Sequence, residues 1–210
     1  MQDINYFLTT TVCIVLTTLT QAQVKLNSGD LLFQNIDCGP LCDAIEQVTN
    51  GKDSLKFSHI GMVYLKADSV YVIEAIGKAV VLTPYVQFKS RTTHKLYLGR
   101  LKITYQTLID SAINFALNKV GTPYDEAFLY NNQKYYCSEL IYDAFKAANN
   151  NEAFFKLEPM TFKLPNSNTF FNAWVDYYKK LGIEIPEGKP GINPAGISTS
   201  NKLNWIGIIN

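Results

Sequence analysis

Neither sign of charge dominates this sequence: 19 Lys and Arg stand against 18 Asp and Glu in 210 residues. So balanced a chain projects no long-range field, which removes the electrostatic case for a nucleic acid, an anionic membrane or an acidic polymer as partner. Long apolar runs are also lacking. The most apolar stretch, Phe7 to Leu19, is too short and too threonine-rich to cross a hydrocarbon core of roughly 30 Å, so no stable membrane span is expected. There is no internal repeat and no low-complexity tract. What is abundant is apolar side chain, 47% of the residues, with 13 Tyr and 12 Phe, enough to build the core of one compact domain. The aromatic residues suit a sheet-rich core better than they argue for a ring-lined groove.

Phe7 to Leu19 does suit the apolar region of a secretory signal. The following Leu19-Thr20-Gln21-Ala22-Gln23 approximates a cleavage site, with small residues at Thr20 and Ala22. Residues 1–22 are therefore expected to be a signal peptide and 23–210 a single exported domain, periplasmic or secreted. The pattern departs from the usual one in that no Lys or Arg precedes the apolar run and Asp3 is acidic. The surroundings of Cys13 lack a lipoprotein cleavage pattern, so no lipid anchor is expected.

Cysteine is scarce, with four in the chain. Removal of Cys13 with the signal would leave Cys38, Cys42 and Cys137, an odd number in an oxidising compartment, so one thiol must stay unpaired. Cys38 and Cys42 are close enough to bridge each other or can both be free. A zinc site there would need two more ligands that the stretch does not supply. No metal and no cofactor are expected, and Cys137 is left as the candidate reactive thiol by elimination only.

Short strands precede helices along the chain, which points to the α+β class. Leu31 to Phe33 reads as a strand opened by Gly29-Asp30, and Leu41 to Val48 as a short amphipathic stretch. Ser58 to Leu65 and Ser69 to Ile76 form a hairpin pattern, and Leu96 to Ile103 a further strand. Thr107 to Val120 carries apolar residues at helical spacing and ends at Gly121 and Pro123. Phe170 to Leu181 reads as another helix stopped by Gly182. The Gly- and Pro-rich tail after it, still holding Ile192, Ile197, Leu203, Trp205 and Ile206, reads as an ordered loop packed back on the domain.

Chemistry concentrates at Tyr136-Cys137-Ser138-Glu139-Leu140. From Cys137, apolar residues recur at Leu140, Ile141, Ala144, Phe145 and Ala148, which starts a helix near Cys137 and turns that stripe to the core. The unpaired amides and macrodipole of a helix start favour an anion, and so the thiolate of a cysteine placed there. Taken alone, the helix is equally consistent with Cys137 as a small apolar member of its stripe. The upstream hairpin tips the balance. A turn at Ala67-Asp68 sets Lys66 opposite Ser69 and, counting back, His59 opposite Ile76 and diagonal to Glu74 on the same face. An odd-numbered loop would separate the two. Glu74 lies inside an otherwise apolar strand, where an unpaired carboxylate is costly to bury, and so implies a partner.

These elements resemble the permuted papain-like amidases of YiiX and YaeF type, relatives of the NlpC cysteine hydrolases. The resemblance rests on Gly29-Asp30-Leu31-Leu32-Phe33, Phe57-Ser58-His59-Ile60-Gly61, Val72-Ile73-Glu74-Ala75, Gly121-Thr122-Pro123-Tyr124-Asp125 and the Cys137 segment. Ordinary papain-like enzymes place the Cys helix before the His strand; the permuted order, His and Glu first and Cys later, is the one found here. The resemblance implies a helix packed on an antiparallel sheet, with nucleophile Cys137, base His59 and orienting Glu74, acting through an acyl-enzyme on an amide or a small peptide, cell-wall fragments among the candidates. Tyr124 is the choice for the pocket wall. The other histidine, His94, sits in a polar flank after Arg91-Thr92-Thr93 and reads as a surface residue. Two other functions stay open: cleavage or transfer of a lipid or thioester acyl group, and a binding module with a silent triad. If the export reading holds, N-terminal sequencing of protein isolated from its source reads Gln23 or a residue close to it; recovery of only the intact Met1 form from the cytosol would contradict it.

Overall fold

The computed structural model describes residues 24–209. The expected signal peptide 1–22, its cleavage point and Cys13 lie outside the described residues. The centre is a six-stranded sheet in the order β4-β3-β2-β1-β5-β8, antiparallel at every pairing. Its strands are β1 (Leu31–Gln34), β2 (His59–Lys66), β3 (Ser69–Ile76), β4 (Ala79–Pro84), β5 (Leu96–Leu101) and β8 (Leu203–Ile209). A small second pair, β6 (Glu158–Pro159) and β7 (Pro190–Gly191), lies apart from it. The helices are α1 (Pro40–Val48), α2 (Tyr85–Lys89), α3 (Ile109–Leu117), α4 (Cys137–Ala148), α5 (Asn172–Leu181) and α6 (Pro194–Ser198). The class is α+β, as the sequence pattern implies.

Alternation along the strands assigns each face its work. On one face Leu31, Phe33, Ile60, Met62, Ile73 and Ala75 pack against α3 and α4 in the main core. On the other, Leu32, Val63, Val72, Phe88, Leu96 and Leu98 form a smaller core. The hairpin joins Met62 to Ile73 and Lys66 to Ser69, the register read from the sequence. Its two-residue turn holds Ala67 at φ 50, the left-handed backbone that tight hairpins demand. A third cluster, Ala44, Phe162, Trp174 and Tyr178, unites α1 with α5 away from the sheet. A disulfide joins Cys38 to Cys42 at the start of α1, the bridged alternative of the two left open, and Cys137 is a free thiol.

Several elements depart from the expectation. The helix over 107–120 is shorter, because a 3-10 turn, Ile103–Leu108, precedes α3, and β5 ends at Leu101 rather than at residue 103. Strand β4 was not expected. The tail is not a loop: it contains α6 and β8, and β8 forms an edge of the sheet. Its alternation is blurred because Ile206 and Ile208 occupy the exposed side, which hides the half-buried pattern that marks a strand.

Gly61 lies on the smaller-core face between β1 and β3. A Cβ there would collide with Val72 and come within 3.1 Å of Phe88 Cε2 and 3.4 Å of Glu74 Cβ. Gly61→Ala is expected to cost about 1–3 kcal/mol through overpacking, measured as a lower denaturant midpoint. An unchanged midpoint would mean the face is not packed this closely.

Candidate active site

Cys137 is the first residue of α4, after an extended Tyr136 that contributes no side-chain cap. The sequence folds this way because Tyr136 turns into the core while the stripe Leu140, Ile141, Ala144 and Phe145 lies against the sheet. Two hydrogen bonds staple the helix start to a distant segment. Ser138 Oγ donates to the Ile192 carbonyl at 2.8 Å, and the Ile192 amide donates to Tyr136 Oη at 3.2 Å. That segment runs into α6 and, together with Cys137, lines a cavity of about 160 Å³.

His59 opens β2. By strand parity it shares the smaller-core face with Gly61 and Val63, opposite the helical layer, and Glu74 shares that face with Val72. As the first residue of its strand, His59 stands at the end of the sheet, and Cys137 at the start of α4 is one of the two side chains that favour its protonated ring. Its Nε2 lies 2.6 Å from Glu74 Oε2. With Nε2 committed to the carboxylate, Nδ1 is the nitrogen left for Cys137, and Nε2–H is the tautomer that lets neutral imidazole donate to Glu74 and accept from the thiol.

Both members of the pair are deeply buried, Glu74 at 0% exposure and His59 at 5%. Burial on its own opposes the imidazolium, but the hydrogen bonds the ring donates to Cys137 and Glu74 outweigh burial and push His59 up to about 9. Burial likewise opposes the Glu74 carboxylate, and the hydrogen bonds from His59 and Arg91 reverse that and lower it to about 2. The partner that the lone carboxylate implied is therefore double. Arg91 Nη1 donates to the same Glu74 Oε2 at 2.6 Å, while Glu74 Oε1 has no hydrogen-bond partner among the described residues. Arg91 was read from sequence only as part of a polar flank; no local signal marks it, since its approach depends on how α2 folds back over β3. His94 is exposed, as expected, and takes no part.

Tyr124 lines the cavity beside Cys137. Burial, and then the negative charge of Cys137, push its hydroxyl well above the ordinary tyrosine range. The loop that carries it is closed by Asp125, which accepts from the Ala127 and Leu129 amides at 3.0 and 2.6 Å. It is closed again by Glu139, whose Oε1 accepts from the Asn131 amide at 2.9 Å. The far wall of the cavity is apolar: Ile45 and Val48 from α1, Phe128, Phe162 and Trp174, with Ile192 on the side of Cys137. Among the described residues, no three His, Cys, Asp or Glu side chains gather as a metal site.

Residues 25–207 match the family described as permuted papain-like amidase enzyme, YaeF/YiiX, C92 family. The chain belongs to this family. It is similar to the uncharacterized protein YiiX of Escherichia coli (strain K12), at 29% identity over 126 residues, 58% of either chain. The match thus spans little more than half the length of that curated relative. The fold is similar to the crystal structure of the metalloprotein yiiX from Escherichia coli O157:H7, with a TM-score of 0.69 at 23% identity, covering 85% of this chain and 95% of that one. The permuted order, with the His strand ahead of the Cys helix, agrees with membership of the C92 family.

Glu139 adds a pH dependence of its own. Burial, more than its Asp143 and Asp125 neighbours, raises it from 4.5 to about 8, against the Asn131 amide, which lowers it. A carboxyl raised on folding contributes stability that is fully present below the unfolded value and is lost as pH rises through the folded one. Glu139→Gln, which mimics the neutral acid, should gain on the wild type in urea midpoint steadily from pH 4.5 to 8. The His59 and Glu74 contributions run separately: the Glu74 part is lost as pH falls below 4.5 and the His59 part as pH rises above 6.5. A constant difference between the two proteins across the range would mean Glu139 is ionised when folded.

Proposed function

We propose that the protein is a cysteine amidase in which Cys137 is the nucleophile, His59 the base and Glu74 the orienting carboxylate. The observation that carries the reading is the Glu74–His59 contact of 2.6 Å, with the second ring nitrogen of the same imidazole left for a cysteine at a helix start. Nδ1 takes the thiol proton, and the thiolate adds to the substrate carbonyl carbon. The C–N bond then breaks as the imidazolium returns the proton to the departing amine. Water adds to the thioester with His59 again accepting a proton, and the C–S bond breaks to restore the thiol and release the acid. Glu74 keeps the ring in its tautomer and stabilises the imidazolium. The Cys137 backbone amide, at the uncapped start of α4, is the first donor to the developing oxyanion, and Tyr124 borders the acyl position.

The substrate is proposed to be a small peptide or amide, such as a cell-wall fragment, met after export through the signal peptide at 1–22. The apolar wall made by Ile45, Val48, Phe128, Phe162 and Trp174 favours a second reading for the acyl side. Such a wall suits a neutral apolar group, which supports cleavage of a lipid or thioester acyl bond by the same residues, while Lys156, Glu158 and Asn193, which also line the cavity, offer partners to a peptide. The word metalloprotein belongs to the Escherichia coli relative; among the described residues no three His, Cys, Asp or Glu side chains gather as a ligand set for a metal, and no step is assigned to one.

Iodoacetamide labelling at neutral pH tests the triad. Glu74→Gln should slow Cys137 alkylation at least about tenfold, roughly 1.4 kcal/mol in the barrier, with little change in folding. His59→Ala should suppress it further. Unchanged labelling in Glu74→Gln beside a strong loss in His59→Ala would require another third member, and slow wild-type labelling would favour a silent binding module. Turnover of labelled stem peptides against labelled phospholipid decides between the two acyl readings.

A further inference from the structure

We propose that Arg91 is a positioning residue of this site: by sharing Glu74 its guanidinium limits how strongly the carboxylate holds His59 as imidazolium. The inference rests on the reading of His59 and Cys137 as base and nucleophile. Two cationic groups converge on one oxygen, Glu74 Oε2, each at 2.6 Å. The carboxylate's attraction is therefore divided between them. Arg91 is held in place rather than swinging free. Its Nη2 donates to Thr83 Oγ1 on β4 at 3.4 Å, and its guanidinium lies 5.7 Å from the Phe88 ring centre. That ring is in turn 5.9 Å from the His59 ring. Phe88 itself is fixed from β1, where Gln34 Nε2 donates to its carbonyl at 2.9 Å.

The groups facing the carboxylate thus come from four sides: His59 on β2, Thr83 on β4, Arg91 after α2, and Cys137 on α4 through the imidazole. Counting charge, Glu74 with Arg91 is neutral, and Cys137 with His59 is neutral whether the proton rests on sulfur or on nitrogen. Proton transfer between thiol and imidazole then leaves the buried site's net charge unchanged. Without Arg91 the buried carboxylate has His59 alone as counterion. The imidazolium would be held more tightly still, and the more tightly a base keeps its proton, the less readily it takes the next one from thiol or water.

The chain has two histidines, so ring-proton NMR follows His59 with exposed His94 as internal reference. In Arg91→Met, which keeps an apolar stem over Phe88, the His59 midpoint is expected about one pH unit above wild type, and the pH profile of Cys137 alkylation should move the same way. Arg91→Lys keeps the charge and should restore the wild-type midpoint. A purely structural Arg91 would lower the unfolding temperature while leaving the His59 midpoint in place, and that result overturns the proposal. Should Arg91→Met fail to fold, Thr83→Val, which loosens the guanidinium, is expected to raise the midpoint by less, and no movement there also overturns it. The underlying reading fails separately: if blocking Cys137 with iodoacetamide leaves the wild-type His59 midpoint unmoved, the imidazole is not the partner of the thiol, whatever Arg91 does.

Discussion

The buried charge of Glu74 is the constraint around which this end of the molecule is organised. A carboxylate with no exposed surface is tolerated only if cationic or hydrogen-bonding partners reach it, since desolvation alone would neutralise it or unfold its surroundings. The hairpin register brings His59 from one neighbouring strand. Thr83 and the return of α2 over β3 bring Arg91 from the other side. Gly61 is bare so that Val72, Phe88 and the Glu74 side chain can close over the same spot. Each of these features makes sense as support for one ion pair, and together they fix the imidazole before any substrate arrives.

Cys137 is positioned by different means. The helical stripe of α4 sets its depth in the core, and the Ser138 and Tyr136 bonds to Ile192 tie its first turn to a segment more than fifty residues later. Asp125 and Glu139 hold the preceding loop through backbone amides. Tyr177 and Tyr178 of α5 do the same from outside, donating to the Glu126 and Ala127 carbonyls at 2.8 and 3.1 Å. The cavity is therefore walled by elements that do not belong to the central sheet, chiefly the α1 and α5 cluster. The walls of the cavity and the cluster of His59, Glu74 and Arg91 are thus built by separable parts of the fold.

A good part of this was legible beforehand. Period-2 alternation in β2 and β3 and the 3.6-residue stripe from Cys137 are local patterns, and a two-residue turn at Ala67-Asp68 allows one register, so the meeting of His59 with Glu74 could be counted out on the sequence. The lone carboxylate in an apolar strand announced a partner for the same reason: its cost is a property of its immediate neighbours. Elements at the sheet margins were not legible. Strand β8 has apolar residues on both faces, so burial and exposure cannot be told apart until its neighbour β5 is present, and β4 follows the hairpin too closely to show a pattern of its own.

By itself the sequence determined the α+β class and the helix that begins at Cys137, and, once the turn is two residues long, the register that sets His59 near Glu74, because each follows from spacing over a few residues. Tertiary structure alone decided that Arg91 shares Glu74 with His59, that Glu139 is buried beside other carboxylates, and that the space beside Cys137 is walled by Ile45, Val48, Phe162 and Trp174. Those relations join residues far apart in the chain. No local periodicity encodes them, since they arise only when the sheet, the α4 layer and the α1–α5 cluster close against one another and exclude water.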